Sequence, residues 1–199
     1  MTELIKAYHG TRNLEGIARQ GAIVAYYNRG NDKIWFMEKK RYDSLTEKFA
    51  KAARVSHEHG TLRGDIGIQL DEVLANDEAL ADIVQLYGMH SISIEERSDY
   101  RELNRILFIY LACERSTAAA YVGTSEEGRI GALLEVNIPK SIIRPSVQVS
   151  IDSFNTIEVP KEVSLEYLQQ VAVNGPYLER ARQILGEHGF GNIPIVELR

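Results

Sequence analysis

Cysteine is all but missing: Cys113 stands alone in 199 residues. That excludes an internal disulfide, a paired-cysteine zinc site and a dithiol redox motif, and it fits a reducing compartment. Long apolar runs are missing too, since no window approaches the roughly eighteen residues that a membrane-spanning helix needs. The opening MTELIKAYHG lacks the basic-then-apolar order of a secretory leader. A cytoplasmic protein without membrane contact is expected, with delivery to another cell by a signal-less route left open. There is no excess of cations either. The formal net charge of -5 argues against a protein that coats nucleic acid by bulk electrostatics, because that mode needs a cationic face to release phosphate counterions. A local basic groove remains allowed, and residues 38 to 54, EKKRYDSLTEKFAKAAR, are its best candidate. There Lys39, Lys40, Arg41, Lys48, Lys51 and Arg54 outnumber Glu38, Asp43 and Glu47. A solvated helix face is the plainer reading of the same residues. The common cofactor motifs are absent: no phosphate-binding G-x-x-x-x-G-K-[ST], no G-x-G-x-x-G, no G-x-S-x-G and no H-E-x-x-H. His57 and His59, two apart on a helix, point away from each other, so no metal site is expected.

What is present is an ordinary globular composition. With 44% hydrophobic and 26% charged residues the chain has no compositional case for disorder. Its length suits a single domain, 1–199. LIKAYHG alternates Ile5, Ala7 and His9 against Leu4, Lys6 and Tyr8, the period of a half-buried strand. NLEGIARQG follows as a short helix, with Asn13 as N-cap and Gly21 as its stop. DKIWFM reads as a strand, and Tyr42 to Val55 as an amphipathic helix with Tyr42, Leu45, Phe49 and Ala52 on one stripe. DEVLANDEALADIVQLYG reads as another helix. RILFIYLA is a continuous apolar run suited to a strand covered on both faces, followed by a helical RSTAAAYVG. GALLEVNIP, SFNTIEV and VSLEYLQQVAV read as strands, PYLERARQILGEHGF as a helix ending near Gly189, and IPIVEL as a sheet edge. Strands crowd the second half with few helices between them, so the expected class is α+β.

Four segments, together running over most of the chain, carry a resemblance to a known family. AYHGTRNLEGIARQGAI, residues 7 to 23, resembles the first strand and helix of the diphtheria-toxin and poly(ADP-ribose) polymerase class of ADP-ribosyltransferases, the His-Tyr-Glu class. IYLACERSTAAAYVG is similar to that class's strand and helix bearing two tyrosines eleven residues apart, here Tyr110 and Tyr121, and GALLEVNIP follows as the family's next strand. The resemblance implies two packed, mostly antiparallel sheets with flanking helices and NAD in the cleft between them. Residues 38–100 have no counterpart and would be a helical insert, able to cover the cleft, dock the acceptor or bind an inhibitory partner or antitoxin.

The spacing suits that chemistry. With Tyr110 ending a strand and Tyr121 about two helical turns into the next helix, both rings can hold a flat aromatic between them. The nicotinamide of NAD is cationic, so a phenol face adds about 0.5 to 2 kcal/mol of cation–π attraction, which fades when the ring leaves neutral. The carboxamide needs one donor and one acceptor, which the backbone of Gly10 can supply because no Cβ blocks approach. In the family the strand histidine bonds the adenosine-side ribose, which would make His9 a binding residue. Thr11 matches the family and can bond the cofactor or its own strand. Arg12 can reach a diphosphate, although an exposed arginine is the commoner case. Taken singly, His9 reads as a core histidine and the tyrosines as core aromatics with wet hydroxyls.

Cleavage of the nicotinamide–ribose bond passes through an oxocarbenium-like state that a carboxylate stabilises, and this family uses a late glutamate. Glu158, two residues before Pro160 in FNTIEVPKE, is the first candidate and Glu166 in SLEYLQQ the second. Thr156, on the same strand face as Glu158, is where some relatives would align theirs, which would leave the site without its carboxylate. Glu162 and Glu135 read as surface charges. The resemblance implies a toxin-like, NAD-dependent mono-ADP-ribosyltransferase that transfers ADP-ribose to a macromolecular acceptor, a protein before a nucleic acid. The first segment is also similar to DNA-modifying members and to RNA 2′-phosphotransferases. A non-catalytic module that binds NAD or ADP-ribose is the alternative of another class.

Overall fold

The structure, a computed structural model, describes residues 3–25, 39–58, 103, 107–123, 129–143, 156–160 and 162–198. The strand expected at DKIWFM and the helix expected at DEVLANDEALADIVQLYG lie outside them, as does most of the 38–100 segment. The chain divides into two compact units. One comprises residues 1–24, 109–145 and 155–199, the other residues 25–108 and 146–154.

The first unit starts with β1 (Leu4–Thr11), α1 (Leu14–Gln20) and β2 (Ala22–Val24). Asn13 caps α1 as expected, its Oδ1 accepting from the Gly16 N–H at 3.0 Å. Gly21 ends the helix at φ 68, a left-handed conformation that costs other residues roughly 1–2 kcal/mol. After β3 (Phe108–Ala112) come α3 (Arg115–Ala119) and β4 (Ala132–Pro139). The apolar run RILFIYLA is a strand only from Phe108, since Leu107 is still helical. Then follow β5 (Thr156–Pro160), β6 (Glu162–Ser164), β7 (Leu168–Val173), α4 (Leu178–Glu187) and β8 (Ile195–Glu197).

Among the described residues six strands form one sheet in the order β5-β3-β1-β4-β7-β8, and β2 and β6 form a second. The pairs β1–β3, β1–β4, β4–β7 and β2–β6 are antiparallel, and β7–β8 is parallel. This is a mixed architecture of sheets and helices, as the α+β expectation held. β4 buries one face throughout, with Ala132, Leu134, Val136 and Ile138, and on its other face buries Leu133, beside the half-buried Glu135 and Asn137. Ala112, Leu133 and Ala172 on one face of the sheet pack against Ala118 of α3.

The segment VSLEYLQQVAV is not one strand. It breaks at a 3₁₀ turn, Leu165–Tyr167, because Ser164 Oγ accepts from the Glu166 N–H and the Leu165 N–H bonds to the Gly21 carbonyl, diverting both from a ladder. That turn lies against β4 and ties the two-stranded sheet to the larger one. Glu135, read as a surface charge, pairs with Lys6 at 2.5 Å, and the hydrogen bond with that carboxylate raises the lysine pKa. The raised value means that the lysine's contribution to this pairing is fully present below its ordinary pKa of 10.5 and is lost as pH rises beyond it.

In the second unit α2 spans Lys39–Glu58. Leu45, Thr46 and Phe49 are buried along one stripe, and Thr46 Oγ1 donates to the Asp43 carbonyl at 2.8 Å. No helix among the described residues is long and apolar enough to cross a membrane.

Candidate functional site

β1 is paired with β4 along its whole length, from Leu4↔Pro139 to Thr11↔Ala132. With β3 it is paired at one position only, Tyr8↔Ala112. β3 continues beside residues 9 to 11 without a ladder, so the two strands form a fork. A strand between two neighbours turns its backbone N–H and C=O groups alternately to each, and past Tyr8↔Ala112 no further Cα partner joins β1 to β3. At that point a side chain stands in for the ladder: His9 Nδ1 lies 3.2 Å from the Tyr110 carbonyl. A carbonyl only accepts, so Nδ1 donates, and in the neutral ring Nε2 is then the acceptor.

Side-chain alternation sorts the residues around this fork. Tyr8 faces the same side as its partner Ala112, which puts Gly10 and Tyr110, each two residues along, on that same side. α3 covers this face and ends there. A Cβ built on Gly10 would stand 2.2 Å from the Ala118 carbonyl oxygen and 3.0 Å from Tyr121 C and Cβ. Gly10 therefore lets the end of α3 press onto β1 and sets Tyr121 beside the fork.

Tyr121 departs from its expected setting. α3 is only five residues long and stops at Ala119; Tyr121 sits in the turn beyond it, 69% exposed. The helix ends by tightening, with the Tyr121 and Val122 N–H groups bonded three residues back to Ala118 and Ala119. The chain then turns back toward β4, where the Gly123 carbonyl lies close against Gly131. Tyr110, expected at a strand end, is in the middle of β3 and half-buried.

Glu158 and Glu166, alike in sequence, have opposite settings. Glu158 is 1% exposed on β5, the strand hydrogen-bonded beside β3, and its Oε2 is closed off from solvent. Thr156, also on β5 and half-buried, shares its strand face. Glu166 is exposed on the 3₁₀ turn between β6 and β7. Thr11 Oγ1 accepts from the Asn13 N–H at 3.1 Å, so its hydroxyl bonds its own chain at the entry to α1.

The fork thus gathers His9, Gly10, Tyr110 and Tyr121, with Glu158 one strand further along; Glu166 stands exposed on the turn between β6 and β7, and the Thr11 hydroxyl accepts from the Asn13 N–H. Sequence reading passed over Gly123 and Gly131. Their signal was the recurrence of glycine through VGTSEEGRIG, which a loop reading absorbs without remark. Among the described residues no group of three His, Cys, Asp or Glu side chains stands close enough to hold a metal ion.

No model of a known protein family matches this chain, and no curated protein matches its sequence. Among solved structures it is similar to DarT of Thermus sp. 2.9 in complex with carba-NAD+, at 12% identity over 98% of this chain and 95% of that one, with a TM-score of 0.41. The same protein in complex with ADP-ribosylated ssDNA matches at 12% identity over 100% and 98% of the two chains, with a TM-score of 0.39.

Proposed function

We propose that this chain is an NAD-dependent mono-ADP-ribosyltransferase of the His-Tyr-Glu class, with NAD as its substrate and the β1–β3 fork as its binding site. The observation that supports this reading is the fork itself, where a strand pairing ends beside a glycine, with two tyrosines on the glycine's face. The residues suit the ligand. The backbone N–H and C=O of Gly10 would supply the donor and acceptor that a carboxamide needs, and two phenol rings suit a pyridinium. His9, held in the Nδ1–H form, turns an acceptor toward a ribose hydroxyl. Glu158 supplies the negative charge that an oxocarbenium-like state requires, and Tyr110 and Tyr121 grip nicotinamide less tightly once it departs as a neutral ring. Positioning contributes much of the rate, because the acceptor attacks C1′ only when the ribosyl cation is held facing it.

Incubation of the purified chain with NAD tests the reading, since transferases of this chemistry hydrolyse NAD slowly without an acceptor. Release of free nicotinamide is expected. Saturable NAD binding without release would instead make the chain a non-catalytic NAD- or ADP-ribose-binding module.

The net charge of -5 favours a protein acceptor. One observation favours nucleic acid as a second reading. Lys40, Arg41, Lys48 and Lys51 are all exposed on α2, and helical geometry puts them with Ser44 inside an arc of about 100° and a length of about 16 Å. Glu47 and Asp43 lie to one side of that arc, and buried Leu45 and Phe49 to the other. Such a stripe matches the charge of a phosphate backbone. If a single strand lies along it, four neutralised phosphates give a log–log salt slope of about -3, and the triple change Lys40→Gln, Lys48→Gln, Lys51→Gln brings it to about -1. Absence of binding at low salt would leave the protein acceptor.

A further inference from the structure

We infer that Arg12, seated on Gly123, is an anion-binding group of this chain that takes a diphosphate, the kind found in a nucleoside diphosphate or a dinucleotide. Arg12 is the first residue after β1, three beyond His9, and is exposed. Its Cγ, Nε and Cδ lie 2.6, 2.7 and 2.8 Å from where a Cβ on Gly123 would stand. Gly123 is itself pressed down: its carbonyl oxygen lies 2.3 Å from where a Cβ on Gly131 would stand. Arginine stem, Gly123 and Gly131 are therefore stacked in three layers at a separation only glycine allows.

Neither glycine is there for its backbone conformation, because the positive-φ glycines among the described residues are Gly21 and Gly189. What Gly123 and Gly131 provide is room, and the room is filled by the stem of one arginine. The contact with Gly123 sets the direction in which the stem leaves the end of β1. Among the described residues no carboxylate stands within ion-pair distance of Arg12. The guanidinium fork matches phosphate oxygens in pairs. Gly123 follows Tyr121 by two residues and Tyr121 abuts Gly10, so the arginine sits at the same end of the fork as the proposed nicotinamide grip.

This inference rests on the NAD reading, and the test separates the two. Calorimetric titration of the whole chain with NAD, ADP and adenosine is compared across wild type, Arg12→Gln, Arg12→Lys and Gly123→Ala. Arg12→Gln is expected to weaken ADP and NAD by about 10- to 100-fold, the usual loss for charge-assisted hydrogen bonds, and to leave adenosine unchanged. Arg12→Lys should fall between. Gly123→Ala keeps the charge, but its methyl displaces a flexible stem rather than backbone, so it should weaken ADP with the melting temperature nearly unmoved. A charge acting at long range would be indifferent to that variant. Should Gly123→Ala fail to fold, the two Arg12 variants carry the test. Wild-type affinity for ADP in Arg12→Gln, with NAD binding intact, overturns the inference and spares the NAD reading. A wild-type chain that binds neither NAD nor ADP overturns both.

Discussion

Glu158→Gln is expected to leave the fold in place and to lower nicotinamide release from NAD by at least ~10²-fold, the loss that follows removal of a transition-state electrostatic partner. The change is isosteric at a side chain that is 1% exposed, so the packing around β5 is preserved while the charge goes. A buried amide that fails to find partners costs about 1–3 kcal/mol, which a melting curve detects separately from the rate. Glu166→Gln, on an exposed 3₁₀ turn, is expected to change neither. The two variants in one assay give opposite outcomes for the two assignments: a rate lost in Glu166→Gln and kept in Glu158→Gln moves the carboxylate to the turn. Equal rates in both variants and wild type would remove either glutamate from the chemistry.

Gly10→Ala should be as damaging by a different route. Its methyl would have to stand 2.2 Å from the Ala118 carbonyl oxygen and 3.0 Å from the Tyr121 backbone, and backbone cannot swing aside as a side chain does. The end of α3 must lift from β1, at about 1–3 kcal/mol of stability. Because Tyr121 leaves with it, NAD affinity should fall by roughly tenfold or more, equivalent to about 1.4 kcal/mol. Gly186→Ala is the internal control. Nothing stands within 4 Å of its added Cβ, and it lies in α4, so the same change there should stabilise by about 0.5–1 kcal/mol. Denaturation of the two variants side by side checks that the damage at residue 10 is steric. A Gly10→Ala chain as stable as wild type would mean that α3 does not bear on β1.

Much of the local structure was legible because local rules decide it. Asn13 and Gly21 bracket α1 by side-chain capping and a left-handed stop, both of which depend on residues within a few positions. Leu45 and Phe49 turn inward on α2 because helical spacing puts them on one stripe. The strand at GALLEVNIP ends at Pro139, as a residue lacking an N–H implies. Tyr121 marks where such rules fail. RSTAAAYVG reads as one helix up to its closing glycine, yet the helix stops at Ala119 because the chain must turn back toward Gly131, more than ten positions away, and local propensity carries no knowledge of that contact.

The site divides along the same line. The sequence by itself determined which side chains were present: a histidine and a glycine on the first strand, two tyrosines eleven residues apart, no thiol pair, and two late glutamates to choose between. Only the tertiary structure decided that β1 and β3 part after one pairing, that Gly10 lies under the end of α3, and that Glu158 is enclosed while Glu166 faces water. Residue types follow from composition and short-range order. Burial and strand divergence arise from contacts between segments a hundred residues apart, such as His9 on the carbonyl of Tyr110, whose energies no local window contains.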